Sequence, residues 1–382
     1  MNPPVYLDHN ASAPMRQGVI DAMTDVMRQA GNASSVHAFG RRHRQLVEEA
    51  RAEVGALAGV QADRVIFTSG GTEANNLALK ASDRHPILVS AIEHESVLKA
   101  GEGAVRLSVD ADGLVDLTAL NDALPDGGSF VSVMLANNET GVVQPLGDIV
   151  AIACEAGAIV HTDAVQAAGR IAFDISASGA VLASLSAHKL GGPQGVGALV
   201  LNAEIPILSQ LKGGGQERGR RAGTENTAGI VGFGIAARLA RDELVQMQDV
   251  ANLRDAMEAM LIEALPDAVV FGDGVMRLPN TSCFAVPGLR SETQIMALDL
   301  AGLAVSAGSA CSSGKVTPSH VLQAMGVPNS LSECAIRVSF GLENTKDDVA
   351  RLVATLSALS DRIGTRTVTR EEREYENGLH RD

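Results

Sequence analysis

Tryptophan is absent from this 382-residue chain, tyrosine occurs twice, and aromatics together make up 3%. A core of the size this length allows must therefore be built from Ala, Val, Leu and Ile. Cysteine is scarce as well. Cys154, Cys283, Cys311 and Cys334 stand far apart with no C-x-x-C spacing. That excludes a disulfide framework or a zinc ribbon and suits thiols in a reducing cytoplasm. No apolar run reaches the roughly 18 residues of a membrane span. The opening MNPPVYLDHNASAPM lacks a basic stretch followed by an apolar one, so no signal peptide is expected. A positive balance is missing too: the net charge is −14, which argues against nucleic acid or an acidic membrane surface as partner.

What is present is an alternation. Helical patterning over Gln17–Ala30 and again over RRHRQLVEEARAEVGALAGV gives way to the strand RVIFT. A turn, Ser69 to Glu73, then opens a helix from Ala74 to about Ala81. Strand-like PILVSAIEH, FVSVMLAN, AIVHTDAVQ and VLASLSAHK follow, with helical SVLKAG and LGDIVAIACEAG between them. Repeated strand–helix–strand units predict an α/β protein with a mostly parallel sheet covered on both faces. A long helical stretch from Thr227 to about Leu265 should break near Gly232–Gly234. From about 269 the pattern is mixed. The expected division is a large domain over 14–245, a smaller α+β domain from 1–13 and 246–365, and an exposed polar tail over 366–382.

The stretch VLASLSAHKLGGPQGVGALVL carries the first chemical signal. Lys189 stands at the end of a buried strand among small residues. Burial disfavours an ammonium, and a neutral amine can attack a carbonyl to form a Schiff base. A lysine snorkelling beyond a hairpin is the alternative. Three further polar groups also fall at strand ends, where open α/β sheets bind ligands. Ser69–Thr72 can cradle a phosphate on helix amides, or merely cap the helix. Asp163 can pair with a protonated ring nitrogen, or cap the next helix. His94 can stack on a ring and shuttle protons. A Schiff-base lysine, an acid for a pyridinium and a phosphate cup are together the parts that pyridoxal phosphate needs.

The chain resembles the cysteine desulfurases of the NifS/IscS type, within the class V aminotransferase group of fold-type I pyridoxal phosphate enzymes. The resemblance rests on YLDHNASAP, GNASSVHAFG, FTSGGTEANN, AIEHESV, ANNETGVVQP, HTDAVQAAG, SLSAHKLGGPQGVGAL, GGGQERGRRAGTEN, SAGSACSSG with PSHVL, and IRVSFG, in order from residue 6 to about 341. It implies a large domain with a seven-stranded-type sheet, pyridoxal 5'-phosphate as cofactor and a homodimer. Lys189 would carry the cofactor, Asp163 pair with its ring nitrogen and Gln166 with its ring hydroxyl. Gly71, Thr72, Ser186 and His188 would hold the phosphate, and Thr224 would reach that of the neighbouring subunit. His94 would stack on the ring. Asn138, Arg337 and Asn32 would bind the substrate.

Cys311, in a loop of small residues, would take sulfur from L-cysteine as a persulfide and release alanine. It would pass that sulfur to an iron–sulfur scaffold of the IscU or NifU type or another acceptor. Cys311 is also the candidate ligand for a transient iron–sulfur cluster. Cys154, Cys283 and Cys334 read as small apolar fillers. A selenocysteine lyase or another class V enzyme is the rival on the same fold. The lack of G-x-x-x-x-G-K-[ST] argues against a non-catalytic nucleotide-binding module, the rival of a different class. The family's usual GNPSS and LDNNATTP read GNASS and LDHNASAP here.

Overall fold

The computed structural model describes residues 3–80, 83–125, 127–307 and 318–363. The first strand, β1 (Val5–Tyr6), is separate from the main sheet. That sheet is built from β2 (Val65–Thr68), β3 (Ile87–Ser90), β4 (Val105–Leu107), β5 (Phe130–Ser132), β6 (Ile159–Asp163), β7 (Leu182–Ser186) and β8 (Gly197–Leu201). Its order is β2-β8-β7-β6-β5-β3-β4. Neighbours pair in parallel from β7 through β4, and only β8 runs against both of its neighbours. The strands are buried almost throughout, so they read as continuous apolar runs and not as alternation.

One face of the sheet packs on helices Gln17–Met27, Ala38–Ala58, Leu146–Glu155 and Thr227–Asp242. The other packs on Gly71–Lys80 and Glu95–Ala100. In Ala38–Ala58, Val47, Ala50, Val54 and Leu57 recur at helical spacing and are buried. A second, antiparallel sheet runs β12-β13-β10-β9, from β9 (Val269–Val270), β10 (Thr281–Ala285), β12 (Ser306–Ala307) and β13 (Ala335–Ser339). The strand β11 (Leu303–Ala304) pairs in parallel with β1. The chain therefore brings its N-terminal segment back into the second core, where Val5 and Leu7 are buried.

Two expectations are corrected. The long helical stretch does not break at Gly232–Gly234. Helix Thr227–Asp242 is continuous there, and the interruption is the short 3-10 turn Leu244–Gln246, before helix Met247–Ala264. The first helix buries Ile230, Phe233, Ala236 and Ala237 in the main core. The second buries Val250, Leu253, Met257 and Leu261 in the other. The glycine serves contact instead: a Cβ on Gly234 would lie 2.6 Å from the Ala50 Cα of the facing helix. Cys154 is exposed and is no core filler, whereas Cys283 and Cys334 are buried. Residues 366–382 lie outside the described residues.

Candidate active site

The polar strand ends of the main sheet meet the second sheet at a cavity of about 300 Å³. Asp163 comes from the end of β6, Ser186 from β7, and Lys189 from the 3-10 turn Ala187–Lys189 that follows. Gly71 and Thr72 open helix Gly71–Lys80, aiming its first amides and the positive end of its dipole at the same space. A Cβ on Gly71 would lie 2.9 Å from Val165, so glycine lets the helix approach the Asp163–Gln166 turn. Arg337 reaches in from β13, and Ser306 and Ala307 of β12 close the far wall. Of the residues expected here, Gly71, Thr72, His94, Asn138, Asp163, Gln166, Ser186, His188, Lys189 and Arg337 all line this cavity.

The Lys189 amine donates to the backbone carbonyls of Asn10 and Ala11, the latter at 2.9 Å. Burial, reinforced by the Arg170 and Arg337 guanidinium groups, brings its pKa down to about 7. The lysine is therefore a half-neutral amine near neutrality and not a solvated cation. Burial, with Lys189 and Arg170 next in importance, takes His188 down to about 4, so its ring is neutral.

Asp163 is held from two sides. Its Oδ1 accepts from the Val165 amide at 2.9 Å, and its Oδ2 accepts from Asn75 Nδ2 at 2.7 Å. The expected alternative, a plain turn cap, is thus part of its role. Asn75 Nδ2 also donates to Ser96 Oγ at 2.9 Å, and Ser96 Oγ lies 2.7 Å from His94 Nδ1. His94 Nδ1 caps helix Glu95–Ala100 by accepting from the Ser96 amide. An acceptor Nδ1 leaves the ring proton on Nε2 in the neutral form. The ring is thus fixed at the cavity mouth, coupled through Ser96 and Asn75 to Asp163.

Arg337 donates to the Asn138 carbonyl at 2.8 Å and to Asp8 at 2.7 Å. Among the described residues its buried Nε has no partner, nor has the buried Asn75 Oδ1. Both residues line the cavity, and a buried polar atom left unpaired is a cost that a polar ligand drawing the side chain toward it can relieve. An anion cup on a helix N-terminus, a neutral amine, a carboxylate and an arginine fit a phosphorylated aromatic aldehyde together with an amino acid.

Two expected residues stand elsewhere. Asn32 is exposed, turned into its own loop where its Oδ1 accepts from the Ser34 amide, and it does not line the cavity. Thr224 is exposed on the Gly213–Glu225 loop and also lies off this cavity. That loop is anchored by Arg221 on Glu73 and by Arg51 on the buried Glu217. Arg51 and Glu217 border a larger cavity, of about 410 Å³, that none of the expected site residues lines. Cys311 lies outside the described residues, and so does the cluster-ligand role expected of it. Among the described residues no cluster of three or more potential metal ligands occurs, and no helix is long and apolar enough to cross a membrane.

Four contributors escaped sequence reasoning: Asp8, Asn10, Asn75 and Arg170. Asp8, Asn10 and Asn75 lie within the quoted motifs and Arg170 directly after one. No spacing rule, however, connects residue 10 with residue 189. Asn10 is 1% exposed, and its carbonyl accepts from both Gln166 and Lys189.

The class V aminotransferase family model matches residues 5–352. The chain belongs to this family. A cysteine desulfurase from Gluconacetobacter diazotrophicus is 42% identical to it over 371 residues, covering 93% of each chain. A cysteine desulfurase IscS from Dictyoglomus turgidum is 39% identical over 384 residues, covering 96% of this chain and 97% of that one. The crystal structure of a NifS-like protein from Rickettsia africae superposes with a TM-score of 0.88 at 34% identity, covering 94% of this chain and 99% of that one. Within the class V family the chain belongs with the NifS/IscS-type cysteine desulfurases.

Proposed function

We propose that this cavity holds pyridoxal 5'-phosphate and removes sulfur from L-cysteine, leaving L-alanine and a persulfide on Cys311. The observation that carries this reading is the convergence of the Lys189 amine, Asp163 and the Gly71–Thr72 helix N-terminus on one cavity. Gly71, Thr72, Ser186 and His188 would hold the phosphate, Asp163 the ring nitrogen and Gln166 the ring hydroxyl. The cofactor supplies an electron sink, so that a proton can leave the substrate α-carbon and the Cβ–S bond is weakened.

The rest falls to the chain. Arg337, with donor capacity left on Nε, takes the substrate carboxylate, and the cavity wall at Asn138 sets its angle. Lys189, neutral above about pH 7, is the base for the α-proton and returns a proton in the release of alanine. His94 holds a proton on Nε2 at the mouth. Ala307 lines the cavity, and Cys311 follows four residues later. The Cys311 thiolate attacks the substrate sulfur; the S–S bond forms as Cβ–S breaks, and the electron pair stays on the carbon side, where a proton replaces it. An iron–sulfur scaffold or another thiol acceptor then takes the sulfur. We place the enzyme in the cytoplasm as a homodimer, with Thr224 serving the partner's cofactor.

The test is to assay alanine and sulfide from cysteine with the purified holoenzyme, beside Lys189→Ala and Cys311→Ser. Lys189→Ala should be unable to bond the cofactor and should be inactive. Cys311→Ser should keep the visible chromophore and form no persulfide. A colourless wild-type protein, or a Cys311→Ser variant with undiminished turnover, would refute the reading.

A further inference from the structure

Arg170 is 7% exposed, and among the described residues its hydrogen bonds go to neutral acceptors. Among the described residues no carboxylate pairs with it. A buried guanidinium left without an acid is costly, and a site that keeps one has a use for it. Its Nη1 donates to the Gln166 backbone carbonyl at 3.0 Å and to Gln166 Oε1, and its Nη2 donates to the His9 carbonyl at 3.2 Å. Gln166 Nε2 in turn donates to the Asn10 carbonyl at 3.1 Å.

These contacts leave the carboxamide one orientation. A guanidinium has donors only, so the atom it meets must be the amide oxygen. A backbone carbonyl has lone pairs only, so the atom at Asn10 must be the amide nitrogen. With Oε1 bound by the cation and one Nε2 hydrogen on Asn10, the second Nε2 hydrogen remains as the donor the amide can offer. Without these two contacts Gln166 could present either end of its side chain to a ligand, and the two ends have opposite preferences; Arg170 adds the charged half of the constraint to the one that Asn10 supplies.

We propose that Arg170 is a positioning residue for the cofactor ring, acting through Gln166: it commits the carboxamide to donating, so that the cavity receives an N–H and not a carbonyl oxygen. This rests on the reading that pyridoxal phosphate occupies the cavity. A ring hydroxyl that has lost its proton needs a donor, and a flipped amide would turn a lone pair toward it. The same fork ties the 9–11 segment, whose carbonyls hold Lys189, to the Asp163–Arg170 turn. The groups that set the charge around Lys189 are Arg170, Arg337, Asp163 and Asp8, with neutral His188 adjacent.

The experiment uses the holoenzyme without substrate and reads two quantities: the pH midpoint of its visible absorption and the dissociation constant of the cofactor. Arg170→Met should raise the dissociation constant about tenfold, as expected for a lost charge-assisted arrangement, and should move the absorption midpoint upward. Arg170→Lys should restore part of both effects, because it keeps the charge but not the fork. In a Gln166→Ala background, Arg170→Met should change the dissociation constant by less than about twofold, since the residue it acts through is gone. An Arg170→Met protein that titrates and holds cofactor like the wild type overturns the proposal. So do Arg170 and Gln166 effects that multiply in full. Should Arg170→Met fail to fold, Arg170→Lys carries the same comparison in the wild-type and Gln166→Ala backgrounds. A wild-type protein that takes up no pyridoxal phosphate is a separate result, which removes the cofactor reading itself.

Discussion

Lys189 shows how one side chain acquires its chemistry from its surroundings. Its amine sits against two backbone carbonyls, with Arg170 and Arg337 nearby and Asp163 and Asp8 as weaker opposing influences. Desolvation is the largest effect and favours the neutral form. For a lysine depressed to about 7, the nucleophilic amine dominates above that pH and is lost below it. Recombination of the apoprotein with pyridoxal phosphate should therefore accelerate as pH rises through about 7 and level off beyond it. Stopped-flow absorbance across pH 5.5–9.5 checks this. A rate that keeps climbing toward pH 10 would mean the amine is hydrated. This residue was legible in the sequence, because a lysine at a buried strand end conflicts with ordinary surface chemistry. Asn10 and Arg170 were not, because their importance lies only in what they touch across the fold.

Among the elements, the contact of helix Thr227–Asp242 with helix Ala38–Ala58 depends on a missing side chain. A Cβ at Gly234 would lie 2.6 Å from Ala50 Cα and 2.7 Å from its Cβ. Replacing a helical glycine by alanine normally stabilises by about 1 kcal/mol. Overpacking against backbone costs about 1–3 kcal/mol and should win here. Gly234→Ala should therefore lower the thermal midpoint by a few degrees. Gly147→Ala, in helix Leu146–Glu155 with nothing within 4 Å of the new methyl, should leave it unchanged or raise it. Differential scanning calorimetry separates the two; equal shifts would show that the helix pair has slack. The strands and most helices could be read from apolar runs and helical spacing. The break at Leu244–Gln246 could not: a glycine pair looks like a hinge, and only the facing helix shows it to be a contact.

For the whole molecule, Thr224 lies exposed and away from its own chain's cavity, on a loop anchored by Arg51–Glu217 and Arg221–Glu73. If it serves a second copy, Thr224→Ala homodimers should bind the cofactor more weakly. Dimers that combine one Lys189→Ala chain with one Thr224→Ala chain should then contain one complete site. Cofactor titration of purified mixed dimers should find one site of wild-type affinity per dimer. Its absence would place Thr224 in the service of its own chain.

The sequence by itself determined the class of chemistry. Local signals, a lysine, an aspartate and a histidine at strand ends and a glycine turn before a helix, depend only on neighbours along the chain. The alternation of strands and helices then ensured that those ends would lie on one edge of a sheet. Only the tertiary structure decided which carbonyls hold the amine, which guanidinium orients Gln166, and that Asn75 and Ser96 link His94 to Asp163. Those contacts join segments far apart in the chain, and they exist because the strand ends of the main sheet meet the second sheet, which brings residues 8–11, 163–170 and 337 together at and around one cavity.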